Sequence, residues 1–345
     1  MGLMIVVVYH MKFSETRFGN TGAQTLTWVG DDLVDWVGGR IFRSGEKTDF
    51  AEGSVPYKFD SVLTVPDGKG HILYERLGTK ALLLYEGRTV REFNRSHYQA
   101  GAYDYPICTA RLDNDRQILV HCPEDYNRLE IEDLFTGESL TSRGTESPDF
   151  FHSRLQISPD KKWLLSAGWQ WNPIDALKVF ALDEVMTEPE LLDAEPPFKI
   201  LNPDLEVQSA VFTPDSNILI VTADEDDYEE LEDDETFYGM RAGQVSLFSP
   251  AQKKMLWTQN WTTPPGRIEV AGLWALCLHE HPRLYRWSDW TFIHEWPHLK
   301  TGKQISSIAT INSQSPAMSF QLEKGRFAIS NSDGITVIEM HHSSG

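Results

Sequence analysis

The sequence has few of the features that assign a chain to a common enzyme class. It contains no G-x-S-x-G, G-x-G-x-x-G, P-loop or C-x-x-C motif. Hydrolase elbows, dinucleotide sites and thioredoxin-like redox sites therefore have no sequence support. Apolar residues at helical spacing are scarce, which argues against an α/β fold. No run approaches the roughly 18 apolar residues of a membrane span, so no membrane association is expected.

Cysteine is also scarce. Cys108, Cys122 and Cys277 are odd in number, lie far apart and have no paired metal-ligand spacing. A bond between Cys108 and Cys122 on adjacent strands is conceivable, but buried free thiols are the interpretation we favour. Free thiols suit a reducing compartment, so the sequence predicts a cytoplasmic location.

Basic residues are too few to balance the acidic ones. The chain has 31 Lys and Arg against 51 Asp and Glu, a formal net charge of −20. Nucleic-acid binding depends on basic patches, so no nucleic-acid partner is expected. An acidic surface attracts basic partners, and a basic protein or peptide is the predicted one. We expect the protein alone to be monomeric.

A repeated strand unit is the main positive feature. Residues 155–185 read LQISPDKKWLLSAGWQWNPIDALKVFALDEV. This pattern predicts a short strand, a Pro-Asp turn, a second strand over 163–167, an interruption over 168–176 and a third strand over 177–182. Such short connections predict antiparallel pairing.

The same unit recurs around residues 62–90, 107–140 and 210–257. The turn aspartates are 48, 45 and 55 residues apart, at Asp67, Asp115, Asp160 and Asp215. A period of roughly 40–50 residues with several strands per repeat is typical of a β-propeller. A two-sheet sandwich with similar hairpins is the alternative, but it would not need the turn at a fixed place in each period.

The pattern xLxxSPDxxxLLSxGxxxxVxVFxLD resembles the WD40-like or YVTN-like class of propeller repeats. The match is to the architecture and covers most of residues 20–340. No Trp-Asp dipeptide ends a third strand; the equivalents are Leu182-Asp183, Phe248-Ser249 and Leu134-Phe135. The blades are thus degenerate, and we expect apolar packing to hold them in place of the Asp-His-Ser-Trp network of true WD40 blades.

The predicted fold is an all-β, seven-bladed β-propeller in a single domain over residues 1–345. Blades one and six are weak in sequence, so counts of six or eight are the alternatives. The approximate blades are 20–47, 58–95, 105–143, 151–186, 207–260, 267–298 and 305–340. Residues 4–9, rich in Val and Ile, are predicted to close the ring as the outer strand of the last blade, which would remove an exposed edge.

Function in propellers is sought in atypical loops. The resemblance places the loops between second and third strands on one face, and three of them are unusual. The first, residues 224–235, carries ten acidic residues in twelve, and its candidate partner contacts are Asp224, Asp226, Asp227, Tyr228 and Glu229. It does not fit an EF-hand, because its fifth and sixth positions are Tyr228 and Glu229. A landing site for a basic partner competes with a solvated insertion and with adventitious cation binding.

The other two loops carry aromatic residues. In residues 168–175, Trp169 and Trp171 alternate and would point the same way beside Asp175. Trp is enriched at binding hot spots, although both rings could instead cap the gap between blades. Residues 123–128 add Tyr126 as a third aromatic candidate. The sequence therefore predicts aromatic contacts beside a negative patch on neighbouring blades.

Two further candidates are weaker. His279 and His281 could share a strand face and bind a metal, but only two ligands are evident. Arg154 opens a first strand near the predicted channel mouth, where a structural hydrogen-bonding role is the alternative to a functional one. No cofactor is predicted.

These observations favour a non-enzymatic interaction module or scaffold that binds a basic protein or peptide. An acidic bacterial immunity or adaptor protein is one specific form. The alternative is a propeller enzyme of hydrolase or lactonase type, with a metal or a carboxylate pair in the central channel.

Overall fold

The computed structural model describes residues 11–19, 22–43, 47–50, 57–171, 174–194, 200, 205–224 and 240–342. The strands of this part of the chain form seven antiparallel sheets of three or four strands, which are the blades of a β-propeller. The predicted all-β, seven-bladed fold is confirmed. Two compact units can be distinguished, one formed by residues 1–57 and 316–345 and the other by residues 58–315.

The strand bounds follow the chain, beginning with β1 (Met11–Phe18). Blade one has β2 (Thr27–Val29), β3 (Asp32–Asp35), β4 (Arg40–Arg43) and β5 (Lys47–Phe50). Blade two has β6 (Ser61–Thr64), β7 (Gly70–Tyr74), β8 (Lys80–Tyr85) and β9 (Arg88–Asn94). Blade three has β10 (Ile107–Arg111), β11 (Gln117–His121) and β12 (Glu130–Asp133). Blade four has β13 (Gln156–Ile157), β14 (Trp163–Gln170) and β15 (Ile174–Ala181).

The remaining blades complete the fold. Blade five has β16 (Val207–Phe212), β17 (Ile218–Thr222), β18 (Gln244–Ser249) and β19 (Lys254–Asn260). Blade six has β20 (Ile268–Ala271), β21 (Trp274–Cys277), β22 (Arg283–Arg286) and β23 (Thr291–Glu295). Blade seven has β24 (Met318–Gln321), β25 (Arg326–Asn331) and β26 (Gly334–His342).

The N-terminal strand belongs to the last blade. β1 pairs antiparallel with β26 over its whole length, from Met11↔His342 to Phe18↔Ile335, and takes the outer place in the sheet. Without it β26 would present an unpaired edge. Closure by an N-terminal strand is thus as predicted, with the strand at Met11–Phe18. The predicted position, residues 4–9, lies outside the described residues.

Apolar clusters lie between neighbouring blades of the larger unit. One joins blades two and three through Ile72, Leu83 and Leu119, and another joins blades four and five through Leu165 and Ile220. All of these side chains are buried. Because each sheet is covered by its neighbour's side chains, nearly continuous apolar strands such as Ile218–Thr222 are buried on both faces.

The turn aspartates stabilise their hairpins by accepting hydrogen bonds. Asp160 accepts from Ser158 Oγ at 2.6 Å, and Asp67 accepts from the Lys69 amide at 2.9 Å. Asp67 also accepts from Gln117 Nε2 of blade three at 2.8 Å. The turn that defines the repeat therefore also ties one blade to the next.

Blade four corrects the predicted interruption of its sheet. Residues 168–176 do not interrupt the sheet, because β14 runs to Gln170 and β15 starts at Ile174, with Trp169 opposite Asp175. Gly168 is needed for a close approach: a Cβ there would lie 1.9 Å from the carbonyl oxygen of Phe151. The glycine thus admits a neighbouring backbone and does not break the strand.

A short helix also follows this blade, directly after the predicted third strand. α1 (Leu182–Thr187) is followed by a 3₁₀ turn over Pro189–Leu192. Leu182, Val185 and Leu192 are buried in the cluster between blades three and four. A helix of six residues is too short for its periodicity to be recognised in sequence.

Candidate functional site

Two stacked rings form the centre of the candidate site. Phe151, which precedes β13, exchanges two backbone hydrogen bonds with Trp169 on β14, with N–O distances of 2.8 and 3.1 Å. Their rings lie 3.8 Å apart and 8° from parallel, and both side chains are buried. The backbone pairing that Gly168 permits thus fixes the geometry of the stack.

Further aromatic rings extend this stack to the surface. Tyr126, in the loop between β11 and β12, stacks on Phe151 at 4.3 Å, and Tyr98 lies 4.9 Å beyond it. Trp171 lies 6.1 Å from Phe151 and 5.9 Å from Trp169. Tyr98 is 48% exposed and Trp171 is 55% exposed. We call Tyr98, Tyr126, Phe151, Trp169 and Trp171 the aromatic surface.

A rigid floor supports the aromatic surface. Tyr103 is fully buried and meets Phe151 edge-on at 5.5 Å, and Ile308 belongs to the same cluster. The guanidinium of Arg95 lies 4.6 Å from the Tyr103 ring centroid and donates to the carbonyls of Gly78 and Ala100. This floor packs against Phe151 and Trp169, the two buried rings of the stack.

Asp175 is part of the support and does not face a partner. It is buried opposite Trp169 and accepts hydrogen bonds from the amide of Ser307, at 2.8 Å, and from its hydroxyl. Burial raises its pKa. Trp169 and Asp175 are therefore interior residues, which corrects their prediction as loop contacts. Among the blade-four candidates, Trp171 is the exposed one.

Carboxylates surround the blade-three end of the surface. Tyr126 donates its hydroxyl to Asp149 Oδ1 at 2.8 Å, and Asp125 lies close enough to act on it electrostatically. Burial and then the hydrogen bond to Asp149 raise the pKa of Tyr126 to about 12. Asp125 and Asp149 are both exposed. The tyrosine is thus a neutral donor flanked by two negative charges.

The acidic insertion lies in the equivalent loop of the next blade. It connects β17 to β18 of blade five, as the loop with Trp171 connects β14 to β15 of blade four. Asp224 at its start is exposed. The other predicted contacts, Asp226, Asp227, Tyr228 and Glu229, lie outside the described residues.

Arg154 takes an interior position. Its Nε donates to the carbonyl of Ala167 and its Nη1 to that of Gln208, each at 2.8 Å. These bonds connect blade four to blade five. Arg154 has a φ of +46°, an uncommon conformation for a residue other than glycine. The arginine therefore links two blades through backbone oxygens.

His279 and His281 do not share a strand face, because β21 ends at Cys277. His279 is buried, which lowers its pKa, and His281 Nε2 lies 3.0 Å from Glu295 Oε2. Within the described ranges, no group of three or more His, Cys, Asp or Glu side chains could hold a metal ion. The three cysteines are free and buried, as predicted, and burial raises the pKa of each thiol.

Sequence reasoning missed Tyr98, Phe151 and Asp149. Tyr98 lies in the connection between β9 and β10, whereas the predicted contacts lie in loops between second and third strands. The doublet Phe150-Phe151 immediately before a strand is the signal that could have identified the centre of the stack.

Comparisons with known proteins identify the fold. No protein-family profile matches the sequence, and no curated protein does. Similar solved structures include a streptogramin B lyase, with a TM-score of 0.55 and 10% identity over 95% of this chain and 98% of that one. A catalytically inactive virginiamycin B lyase from Staphylococcus aureus with quinupristin gives 0.56 and 13% over 96% and 99%. The selenomethionine form of that enzyme gives 0.54 and 13% over 96% and 99%.

At these identities the likeness extends to the propeller fold alone. No helix in the described part of the chain combines the length and apolarity that a membrane crossing requires.

Proposed function

We propose that this protein is a non-enzymatic binding module that captures a basic peptide segment on the aromatic surface. The observation that carries the proposal is the pair of exposed rings, Tyr98 and Trp171, held by a buried stack beside exposed carboxylates. A partner's apolar stems can lie on the rings while its cationic heads reach Asp125 and Asp149.

The chemistry of the surface favours Arg and Lys side chains. Trp and Tyr faces attract guanidinium and ammonium groups within about 6 Å, each contact contributing roughly 0.5–2 kcal/mol. Aromatic residues also supply large contact area at low entropic cost, which makes them frequent hot spots. An acidic peptide would gain the apolar contact but would be repelled by the carboxylates. A neutral peptide would gain the apolar contact without any charge attraction.

Preorganisation supports the same proposal. Phe151 and Trp169 are fixed by backbone pairing, and Tyr126 is fixed by Asp149. Rings held before binding lose little freedom when a partner arrives, so more of the contact energy appears as affinity. An interior stack that served only folding would not need two rings that remain about half exposed.

The acidic insertion has a separate role in this proposal. Ten carboxylates in twelve residues attract a basic partner from a distance and accelerate its encounter. An immunity or adaptor protein that neutralises a basic partner is one form of this function. We place it in the cytoplasm, because three buried free thiols suit a reducing compartment.

The test is titration with fluorescent peptides. An Arg- and Lys-rich peptide library is compared with Glu- and Ala-substituted versions, on wild type, Tyr98→Ala, Trp171→Ala and the double variant. We expect selective binding of basic peptides. The double variant should bind them with an affinity that is tenfold lower or more, a loss of about 1.4 kcal/mol or more in binding free energy. Phe292→Ala is the matched control, because Phe292 is 51% exposed on blade six.

Two outcomes would overturn the proposal. One is equal binding by wild type and the double variant, which would move the site elsewhere on the propeller, including the channel of the enzyme alternative. The other is the absence of any preference for basic over acidic peptides.

A further inference from the structure

A recess lies between the outer strands of blades five and six, away from the aromatic surface. It has a volume of about 380 Å³, within the range of small-molecule sites. Blade five contributes Asn260 and Trp261, and blade six contributes Arg283, Phe292 and Glu295. We call it the rim cleft.

One wall of the rim cleft is aromatic and held in place. Tyr285 and Trp290 stack 4.6 Å apart and 12° from parallel, and Phe292 meets Tyr285 edge-on at 5.5 Å. Trp290 has a φ of +56°, a rare conformation for so bulky a residue. Asp289, two residues before Thr291, accepts from its amide at 3.2 Å and from Arg286 Nε at 2.8 Å, which fixes this turn. Strained backbone held in this way is common at binding sites.

Polar groups on the same two strands, β22 and β23, adjoin the aromatic ones and are incompletely satisfied. The Arg283 side chain is only 7% exposed, and its Nη1 has no hydrogen-bond partner among the described residues. Its Nε lies 3.6 Å from Glu295 Oε2, and His281 Nε2 lies 3.0 Å from the same oxygen. A buried donor without a partner is costly in a protein, so a ligand that provides an acceptor there is favoured.

The charges of these polar groups select the kind of ligand. Arg283 and Glu295 cancel each other, so an anion would meet the carboxylate and a cation would meet the guanidinium. A neutral compound with adjacent hydroxyl groups can donate to Glu295 and accept from Arg283 at once. Its C–H face can lie against Phe292 and the rings behind it.

We propose that the rim cleft binds a neutral carbohydrate. The ring stacks on the aromatic wall, and neighbouring hydroxyls bridge Arg283 and Glu295. A second cleft of about 480 Å³ shares Asn260, Trp261 and Thr262 with the first. The site therefore accommodates more than one sugar unit, and a disaccharide binds more tightly than its monosaccharide.

The full-length protein is first screened on a glycan array. The glycans that bind are then titrated, with tryptophan fluorescence as the signal. Glucuronate and phenylacetate are the anionic probes. We expect saturable binding of a neutral glycan, weakened about tenfold or more by Phe292→Ala and by Glu295→Gln. Phe292 is about half exposed and Glu295 is 45% exposed, so both variants should fold.

Trp171→Ala is the control, because it alters the aromatic surface and should leave glycan binding unchanged. The proposal fails if no neutral glycan binds, if Phe292→Ala and Glu295→Gln bind as wild type does, or if phenylacetate binds more tightly than every neutral glycan. Because the two sites share no residue, failure here leaves the peptide-binding proposal to be judged by its own variants.

Discussion

Arg143 and Asp193 form a buried bidentate ion pair, with Nε–Oδ2 and Nη2–Oδ1 distances of 2.6 and 2.8 Å. Arg143 lies in the connection from blade three to blade four, and Asp193 directly follows the 3₁₀ turn after α1. Thr145 and Ser147 donate to the same carboxylate. The pair therefore anchors the connection that leads to Phe151.

Removing one partner of this pair should destabilise the protein strongly. Asp193→Asn removes the bidentate partner of the buried Arg143 guanidinium and leaves it only the longer contact of Nη1 with Glu130 Oε1, at 3.4 Å, which costs about 3 kcal/mol. The measurement is the free energy of unfolding from urea denaturation. The matched control is Asp113→Asn, which breaks the exposed pair with Lys161 and should cost at most about 1 kcal/mol. Equal effects of the two substitutions would contradict the prediction.

The same carboxylate predicts acid sensitivity. Although burial alone would raise the pKa of Asp193, hydrogen bonds from Arg143, Ser147 and Thr145 lower it from 3.8 to about 2. Its folded-state pKa is depressed, so its contribution is present above pH 3.8 and is lost as pH falls toward 2. We expect the melting temperature of wild type to fall across this window more steeply than that of Asp193→Asn. Equal pH dependence of the two melting temperatures would contradict this prediction.

A methyl group at position 168 should disrupt the aromatic surface. In Gly168→Ala the added Cβ would lie 1.9 Å from the carbonyl oxygen of Phe151, so the backbone pairing between Phe151 and Trp169 must open. We expect the free energy of unfolding to fall by about 2 kcal/mol or more and the near-ultraviolet circular dichroism spectrum to change. Gly144→Ala is the control, because no atom lies within 4 Å of its added Cβ. Identical spectra for both variants would argue against the pairing.

Removal of the closing strand should lower thermal stability. Deleting residues 1–18 removes all eight pairs between β1 and β26 and exposes the edge of the last blade. We expect the melting temperature to fall by about 5–10 °C or more, measured by calorimetry. Deletion of residues 1–10 alone separates the described strand from the segment first predicted to close the ring. An unchanged transition after the longer deletion would rule out this role.

Neutralising the acidic insertion should slow the capture of a basic peptide. Replacement of the acidic residues within 225–235 by Asn and Gln should lower the association rate about tenfold at low salt and change it little at high salt. Stopped-flow fluorescence measures both rates. A change confined to dissociation would indicate direct contact and not steering.

Local pattern was sufficient to predict the blades. The turn at Pro159-Asp160 is visible in sequence because its chemistry lies within a few residues, and Asp160 indeed accepts from Ser158. The stack could not be predicted in the same way. Phe151 meets Trp169 through an isolated bridge, and the residue that permits it, Gly168, resembles a strand breaker when only its neighbours are considered.

The position of Tyr98 depends on distant contacts as well. The connection that carries it is held by Arg95, which donates to the carbonyls of Gly78 and Ala100. Every residue has a backbone carbonyl oxygen, so the identity of the accepting residue does not reveal such a hydrogen bond. The sequence therefore indicated Trp171 and Tyr126 but not the surface that joins them.

The pairing of Met11 with His342 also sets the order of events during synthesis. β1 is synthesised long before its partner β26, so the seventh blade can be completed only after β26 has left the ribosome. Until then the nascent chain carries an unpaired strand, which is a hazard for aggregation. Bringing together the ends of so long a loop also costs conformational entropy, which slows the pairing of β1 with β26. The stability that closure gives to the finished protein is thus obtained at the cost of a vulnerable interval during its production.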